Sequence, residues 1–466
     1  MKNFQQKMAD LGLMIPKIML PRSDLRKWAV IACDQFTQDR DYWERVKNTA
    51  AGAPSTLNLI FPEVFLPDGD KSRRIKDIHE TMTRYLDGGI FAKARQGCVY
   101  LERDTPFQRG RRGLVAAVDL EQYDWTPSAR PLIRSTEGTV PERLPPRMDI
   151  RRDAPLEVSH ILLLIDDETE SLLPALGERA KKAPPVYQTG LMMGSGSVSG
   201  WFLDKEEDWT FLAERLEELA RRALTRYLPG GQGTGVPAGN GGAPFLFAAG
   251  DGNHSLATAK GIWEEYKKAH SLSNGGALPE HPCRYAMVEI ENLYDPAVTF
   301  EPIHRIIFGI HFDKALSLLA GLPGFSSREL GSREELIRLT IEPCAGNRFG
   351  IVACNAVSGG VFGNRYALIE TSAGGIATAE LQPLLDRHLE QAAKSGMSLS
   401  IDYIHGEEEL FRLASASGQA VGILLPPVKK AGLFETVARS GPLPRKSFSM
   451  GEAVEKRFYL ECRRLF

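Results

Sequence analysis

Two hydrophobic patterns alternate along this chain. Short apolar runs closed by turn residues predict buried strands, and stretches with apolar residues every three to four positions predict amphipathic helices. Strands are expected at residues 28–33 (WAVIAC), 98–103, 113–119, 160–165 (HILLLI), 245–249 (FLFAA), 284–291, 349–354, 366–370, 400–403 and 420–425. Helices are expected at residues 39–48, 75–91, 208–228, 312–320 and 332–339. In the third of these, Phe211, Leu212, Leu216, Leu219 and Leu224 make the apolar side. Residues 98–103 and 113–119 read as a hairpin, and the glycine-rich run 190–203 reads as a strand pair with tight turns. The interleaving predicts a mixed α/β (α+β) fold with multi-layer mixed sheets. Three segments are expected: an N-terminal α/β domain at 1–170, a central domain at 171–310 and a C-terminal α/β domain at 311–466. Residues 229–244 are rich in glycine and read as a flexible lid or linker.

The stretch from 245 to 270 organises the rest. Its apolar run stops at Gly250, Asp251, Gly252 and Asn253, and a helical pattern through Leu256, Ala259, Trp263 and Tyr266 begins at once. Strand, glycine turn and helix start point backbone N–H groups at an anion, and the helix end adds partial positive charge. Asp251, Asn253, His254 and Ser255 add a carboxylate, an amide, an imidazole and a hydroxyl to that one turn. The plainer alternative is that Asp251 or Asn253 only caps the helix. Asp34, at the end of an apolar strand, is placed for either chemistry or capping. Residues 133–152 (IRSTEGTVPERLPPRMDIRR) carry Glu137, Thr139, Arg143 and Arg147, and Pro141, Pro145 and Pro146 predict a loop there. Arginines on a stiff loop suit carboxylate or phosphate recognition, against the alternative of a solvated charged loop.

Composition narrows the classes. Of the 466 residues, 43% are hydrophobic and 25% charged, and the net charge of −2 gives no global attraction for nucleic acid or an anionic membrane. Six scattered cysteines without a Cys-x-x-Cys pair suggest reduced thiols in a cytoplasmic protein. No secretion signal and no bilayer-length apolar run is read.

The segments WAVIACDQF, GLVAAVDLEQYD, RSTEGTVPERLPPR, AAGDGNHSLATA, FEPIHRIIF and LPRKSFSMGEA together resemble the domain-of-unknown-function 1015 family along nearly the whole chain. That resemblance implies a ParB/sulfiredoxin-like core, in which nucleotide phosphates sit at a Gly-x-His/Arg turn opening a helix. Residues 251–255 fall where that turn is expected. Many family members have Asp-Gly-His-His-Arg there, whereas this chain has Asn253 and Ser255 in place of the first histidine and the arginine. Arg143, Arg147 and Arg305 are the candidates to supply the missing charge.

The superfamily also includes free serine kinases, so the resemblance implies phosphotransfer to or from a small hydroxy metabolite such as serine or phosphoserine, with ADP or ATP and Mg2+. Asp251, His254, Glu137 and Asp34 are then the candidate catalytic residues. Asp251 and Glu137 are the candidate metal ligands. Gly252, Asn253, Ser255, Thr139, Arg143, Arg147 and Arg305 are the candidate cofactor-binding residues. The alternatives are a non-catalytic nucleotide sensor of the ParB-like type and a two-metal phosphoesterase. The second lacks an Asp-x-His outside a helical pattern. The expected partners are a small molecule and a nucleotide, without nucleic acid or membrane.

Overall fold

In the computed structural model, residues 3–227, 243–271, 280–357, 361–416 and 418–466 are described. The expected lid or linker lies outside them, apart from its last two positions.

Side-chain alternation sorts the strands of a nine-stranded mixed sheet into two buried faces. Its order is Tyr187–Gly190, Ser197–Leu203, Cys98–Asp104, Arg111–Asp119, Tyr285–Asn292, Leu162–Ile165, Phe247–Asp251 and Ile133–Ser135, with Leu13–Met14 paired to Arg111–Asp119. Tyr100, Leu114, Ala116, Val118, Val288, Leu163 and Phe247 pack on one side with Leu212, Leu216 and Leu256 from the helices Glu206–Tyr227 and Asn253–Ser271. Val99, Leu101, Val115 and Met287 face the other way, against Trp43 and Met82 from the helices Arg40–Ala50 and Lys71–Asp87 and against Phe458 and Tyr459 from the chain end. The expected hairpin forms between Cys98–Asp104 and Arg111–Asp119, and the glycine-rich strand pair between Tyr187–Gly190 and Ser197–Leu203.

Contacts divide the chain into two compact units, 1–299 with 451–466, and 300–450. This differs from the expected boundaries near 170 and 310. The physical reason is strand pairing across the first boundary: Phe247–Asp251 and Tyr285–Asn292 both pair with Leu162–Ile165, so one sheet draws on both segments. The final sixteen residues then return to the first unit, where Phe458–Tyr459 pairs with Val30–Ile31 and Cys462–Arg464 with Leu156–Val158.

The second unit has its own seven-stranded sheet, with Ser326–Leu330, Val361–Glu370, Arg348–Val357, Ala420–Leu424, Phe300–Phe308 and Ser400–His405 in order and Phe448–Met450 on Phe300–Phe308. Phe349, Ile351, Ile307 and Val421 pack with Phe312, Leu381 and Leu385.

Residues 133–152 are less of a loop than the prolines predict. Ile133–Ser135 is a strand and Leu144–Arg151 a helix. Pro145 and Pro146 fall in the first turn, where the missing N–H has no intrahelical partner to lose. No helix among the described residues is long and apolar enough to cross a membrane.

Candidate functional site

Phe247, Ala248 and Ala249 are fully buried between two neighbouring strands, and the pairing with Leu162–Ile165 slips between Ala249 and Asp251. Gly252 follows with φ +73°, a left-handed conformation that glycine adopts without strain. A Cβ at Gly252 would stand 3.1 Å from Ile161 Cα, so the turn is pressed on the strand beside it. The helix Asn253–Ser271 then begins, with the Leu256 N–H donating to the Gly252 carbonyl at 3.0 Å.

This close approach brings His160 to the turn. Its Nε2 lies 3.2 Å from Ser255 Oγ and 3.5 Å from Asp34 Oδ2, and its Nδ1 lies 2.8 Å from the Tyr459 hydroxyl. Tyr459 reaches this position because its strand pairs with Val30–Ile31, and its hydroxyl also accepts the Cys33 N–H at 3.2 Å. Gln35 Nε2 donates to the other Asp34 oxygen at 3.0 Å. Burial would raise the Asp34 carboxyl, but His160, Gln35 and Lys456 outweigh it and hold it well below the usual carboxylate range. Burial likewise opposes a charge on His160, yet Asp34, Asp251 and Glu63 together raise its pKa above the ordinary value. Each group thus favours the charged form of the other, carboxylate and imidazolium, relative to the isolated side chains.

Asp251 faces Lys456, with Nζ 3.3 Å from Oδ2, and its Oδ1 accepts the Gly252 N–H at 3.1 Å. Lys456 is only 5% exposed. An ammonium thus stands beside the expected metal-ligating carboxylate. Among the described residues no group of three or more His, Cys, Asp and Glu side chains is arranged to hold a metal, so Asp251 and Glu137 build no such group.

The segment after Ile133–Ser135 runs along the same turn. Thr136 Oγ1 donates to the Ala249 carbonyl at 2.6 Å, and the Val140 N–H donates to His254 Nε2 at 3.3 Å. Glu137 and Thr139 are half-buried in the stretch between these two bonds, with Thr139 beside the Tyr123 hydroxyl. Arg143 is exposed, and its carbonyl accepts from Arg147 Nη1 at 2.7 Å. Arg147 pairs with Glu63, whose carboxyl is pushed up by burial and by Asp34. Arg305 belongs to the second unit. It is fully buried there, over the Tyr403 ring and with Nε donating to Gln382 at 2.9 Å.

Sequence reading brought out Asp34, Asp251, Gly252 and Ser255, but not His160, Tyr459, Lys456 or Glu63. The available signals were a histidine opening the run HILLLI and a basic, aromatic chain end.

The model of the family described as protein of unknown function (DUF1015) matches residues 16–353, and the chain belongs to that family. Similar solved structures include a free serine kinase in complex with AMP, at 13% identity and a TM-score of 0.36, covering 77% of this chain and 94% of that one. Another is a conserved hypothetical protein from Pyrococcus furiosus, at 11% identity and 0.32, covering 74% and 90%. A third is a C-terminally truncated SbnI from Staphylococcus aureus, at 10% identity and 0.32, covering 75% and 81%. At such scores these likenesses assign no role to any residue. No curated protein matches the chain.

Proposed function

We propose that this protein binds a nucleotide through its phosphates at residues 251–255 and transfers a phosphoryl group to or from a small hydroxy compound such as serine or phosphoserine. One observation carries the reading. A left-handed glycine, tight on Ile161, opens a 19-residue helix at the point where Lys456, His160 and Asp34 converge. The first helical N–H groups and the helix end favour an anion there. Ser255 stands where the family resemblance leads one to expect an arginine, and Lys456 supplies a cation from the chain end instead.

His160, held as an imidazolium by Asp34, is placed to neutralise a phosphoryl oxygen. Asp34, held ionised, orients the attacking hydroxyl and takes its proton as the new P–O bond forms and the P–O bond to the leaving nucleoside diphosphate breaks. Magnesium arriving with the nucleotide would add neutralisation of phosphate charge. Asp251, its expected ligand, is already paired with Lys456.

The test is calorimetry with ADP alongside turnover of ATP with a panel of small hydroxy compounds that includes serine and 2-hydroxy acids. Asp34→Asn is expected to lower turnover by roughly two orders of magnitude while ADP still binds. Absence of ADP and ATP binding contradicts the reading. The Asp251–Lys456 pair favours a second reading, a nucleotide sensor without catalysis. Tight ADP binding with no phosphoryl transfer to any hydroxy compound supports that alternative.

A further inference from the structure

Beside His160 and Ser255 the first unit holds a half-open chamber of about 130 Å³. Part of its lining is apolar: Leu59, Phe61, Met82 and Leu156 are each at most 4% exposed. Nothing in phosphate binding calls for such a wall. Apolar cavities of about 150 Å³ take a molecule of roughly six carbons, so the occupant here is small, with an apolar chain of roughly four to six carbons. The polar side carries two guanidiniums one helical turn apart, Arg147 and Arg151, both on Leu144–Arg151, with their partner carboxylates Glu63 and Glu157 beside them in the lining. Arg151 pairs with Glu157 through Nη2, but its buried Nε–H has no acceptor. A buried donor left unpaired is costly, and a ligand oxygen would relieve that cost.

We propose that this chamber takes the aliphatic tail of a short hydroxy acid, whose carboxylate meets Arg151 and whose hydroxyl faces His160 and Ser255. The inference rests on the phosphotransfer reading for the role of that hydroxyl, and it replaces serine by a substrate with an apolar chain of about four carbons. Serine has only one hydroxyl, on its side chain; with that hydroxyl at His160 and Ser255 it has no further chain to cover the apolar lining, so it gains no burial there.

The test is calorimetry on the full-length protein with the straight-chain series from 2-hydroxypropanoate to 2-hydroxyheptanoate, with serine and ADP titrated in parallel. Each added methylene is expected to tighten binding about fourfold. The gain should stop near 2-hydroxyhexanoate, and serine should bind no better than 2-hydroxypropanoate. A flat or falling series, or serine as the tightest ligand, overturns the proposal. Ala154, 3% exposed on the chamber wall, gives a second arm. Ala154→Leu should flatten the series with ADP binding unchanged, and a series still rising in the folded variant overturns the proposal. Should this variant not fold, the wild-type series alone decides. A rising series with no ADP binding overturns the nucleotide reading and supports the chamber.

Discussion

Two clusters of buried charge lie in the first unit, both completed by the chain end, and they differ in what they leave open. One is the His160 site. The other lies beneath the chain end on the same sheet. Arg457 pairs there with Glu289 and, at 2.7 Å, with Glu461, while Glu461 also accepts from the Tyr187 hydroxyl at 2.5 Å. Arg103 donates to the Val454 carbonyl at 2.9 Å and to the Glu455 carbonyl at 2.7 Å, and Arg111 Nε lies 3.0 Å from Glu291. Gly113 leaves room for this cluster, since a Cβ there would stand 2.3 Å from Glu289 Oε1. The second cluster binds segment to segment and lines no cavity described above. The first has its histidine and serine on a chamber wall. Perturbed titration accompanies both, so burial and charge alone do not mark a functional site. Access does.

The largest effect that can break this comparison is expected in the closed cluster. Arg457→Met leaves Glu289 and Glu461 without their buried counterion and should cost about 3–5 kcal/mol of stability, read by denaturant unfolding. A loss below about 1 kcal/mol would show that the cluster does not hold the chain end.

The next effect falls on function. His160→Gln should leave a folded protein whose turnover drops roughly a hundredfold. The wild type should also show a pH dependence set by His160. Its folded pKa lies above the ordinary 6.5, so the stability it contributes is complete below 6.5 and is lost as pH rises through the folded value. Affinity for ADP should fall over the same range, and a flat profile above pH 6.5 counts against an imidazolium at the phosphate.

A smaller effect is expected at the turn. Gly252→Ala places a Cβ at φ +73° against Ile161 and should cost about 1–3 kcal/mol, measured by thermal unfolding. The smallest at acid pH is Glu291→Gln. Burial pushes that carboxyl up to about 8, with Arg111 opposing and Glu289 adding to the rise. A raised folded pKa means that its contribution to stability is complete below the reference 4.5, declines as pH rises toward 8 and is level above. The glutamine variant should therefore match the wild type near pH 4.5 and lack the fall in stability between pH 4.5 and 8 that this group causes, gaining on the wild type as pH rises.

Much of this was legible in the sequence where the signal is local. The run FLFAA, its glycine stop and the 3.6-residue pattern gave the strand, turn and helix at 247–271, and the hairpin at 98–119 was as plain. What escaped depends on distant pairing. Lys456 meets Asp251 across about two hundred residues and Tyr459 meets His160 across about three hundred, and no periodicity encodes such partners. His160 was visible only as the opening of a buried strand. The helix at 144–151 was hidden by its prolines, whose position in the first turn matters more than their number.

The most direct test of the central claim is a calorimetric titration of the full-length protein and of His160→Gln with ADP, alongside their melting curves. The account predicts saturable binding by the wild type. It also predicts at least roughly tenfold weaker binding by the variant, or about 1.4 kcal/mol, with the melting transition preserved. No binding by the wild type, or equal affinity in the two proteins, would contradict it.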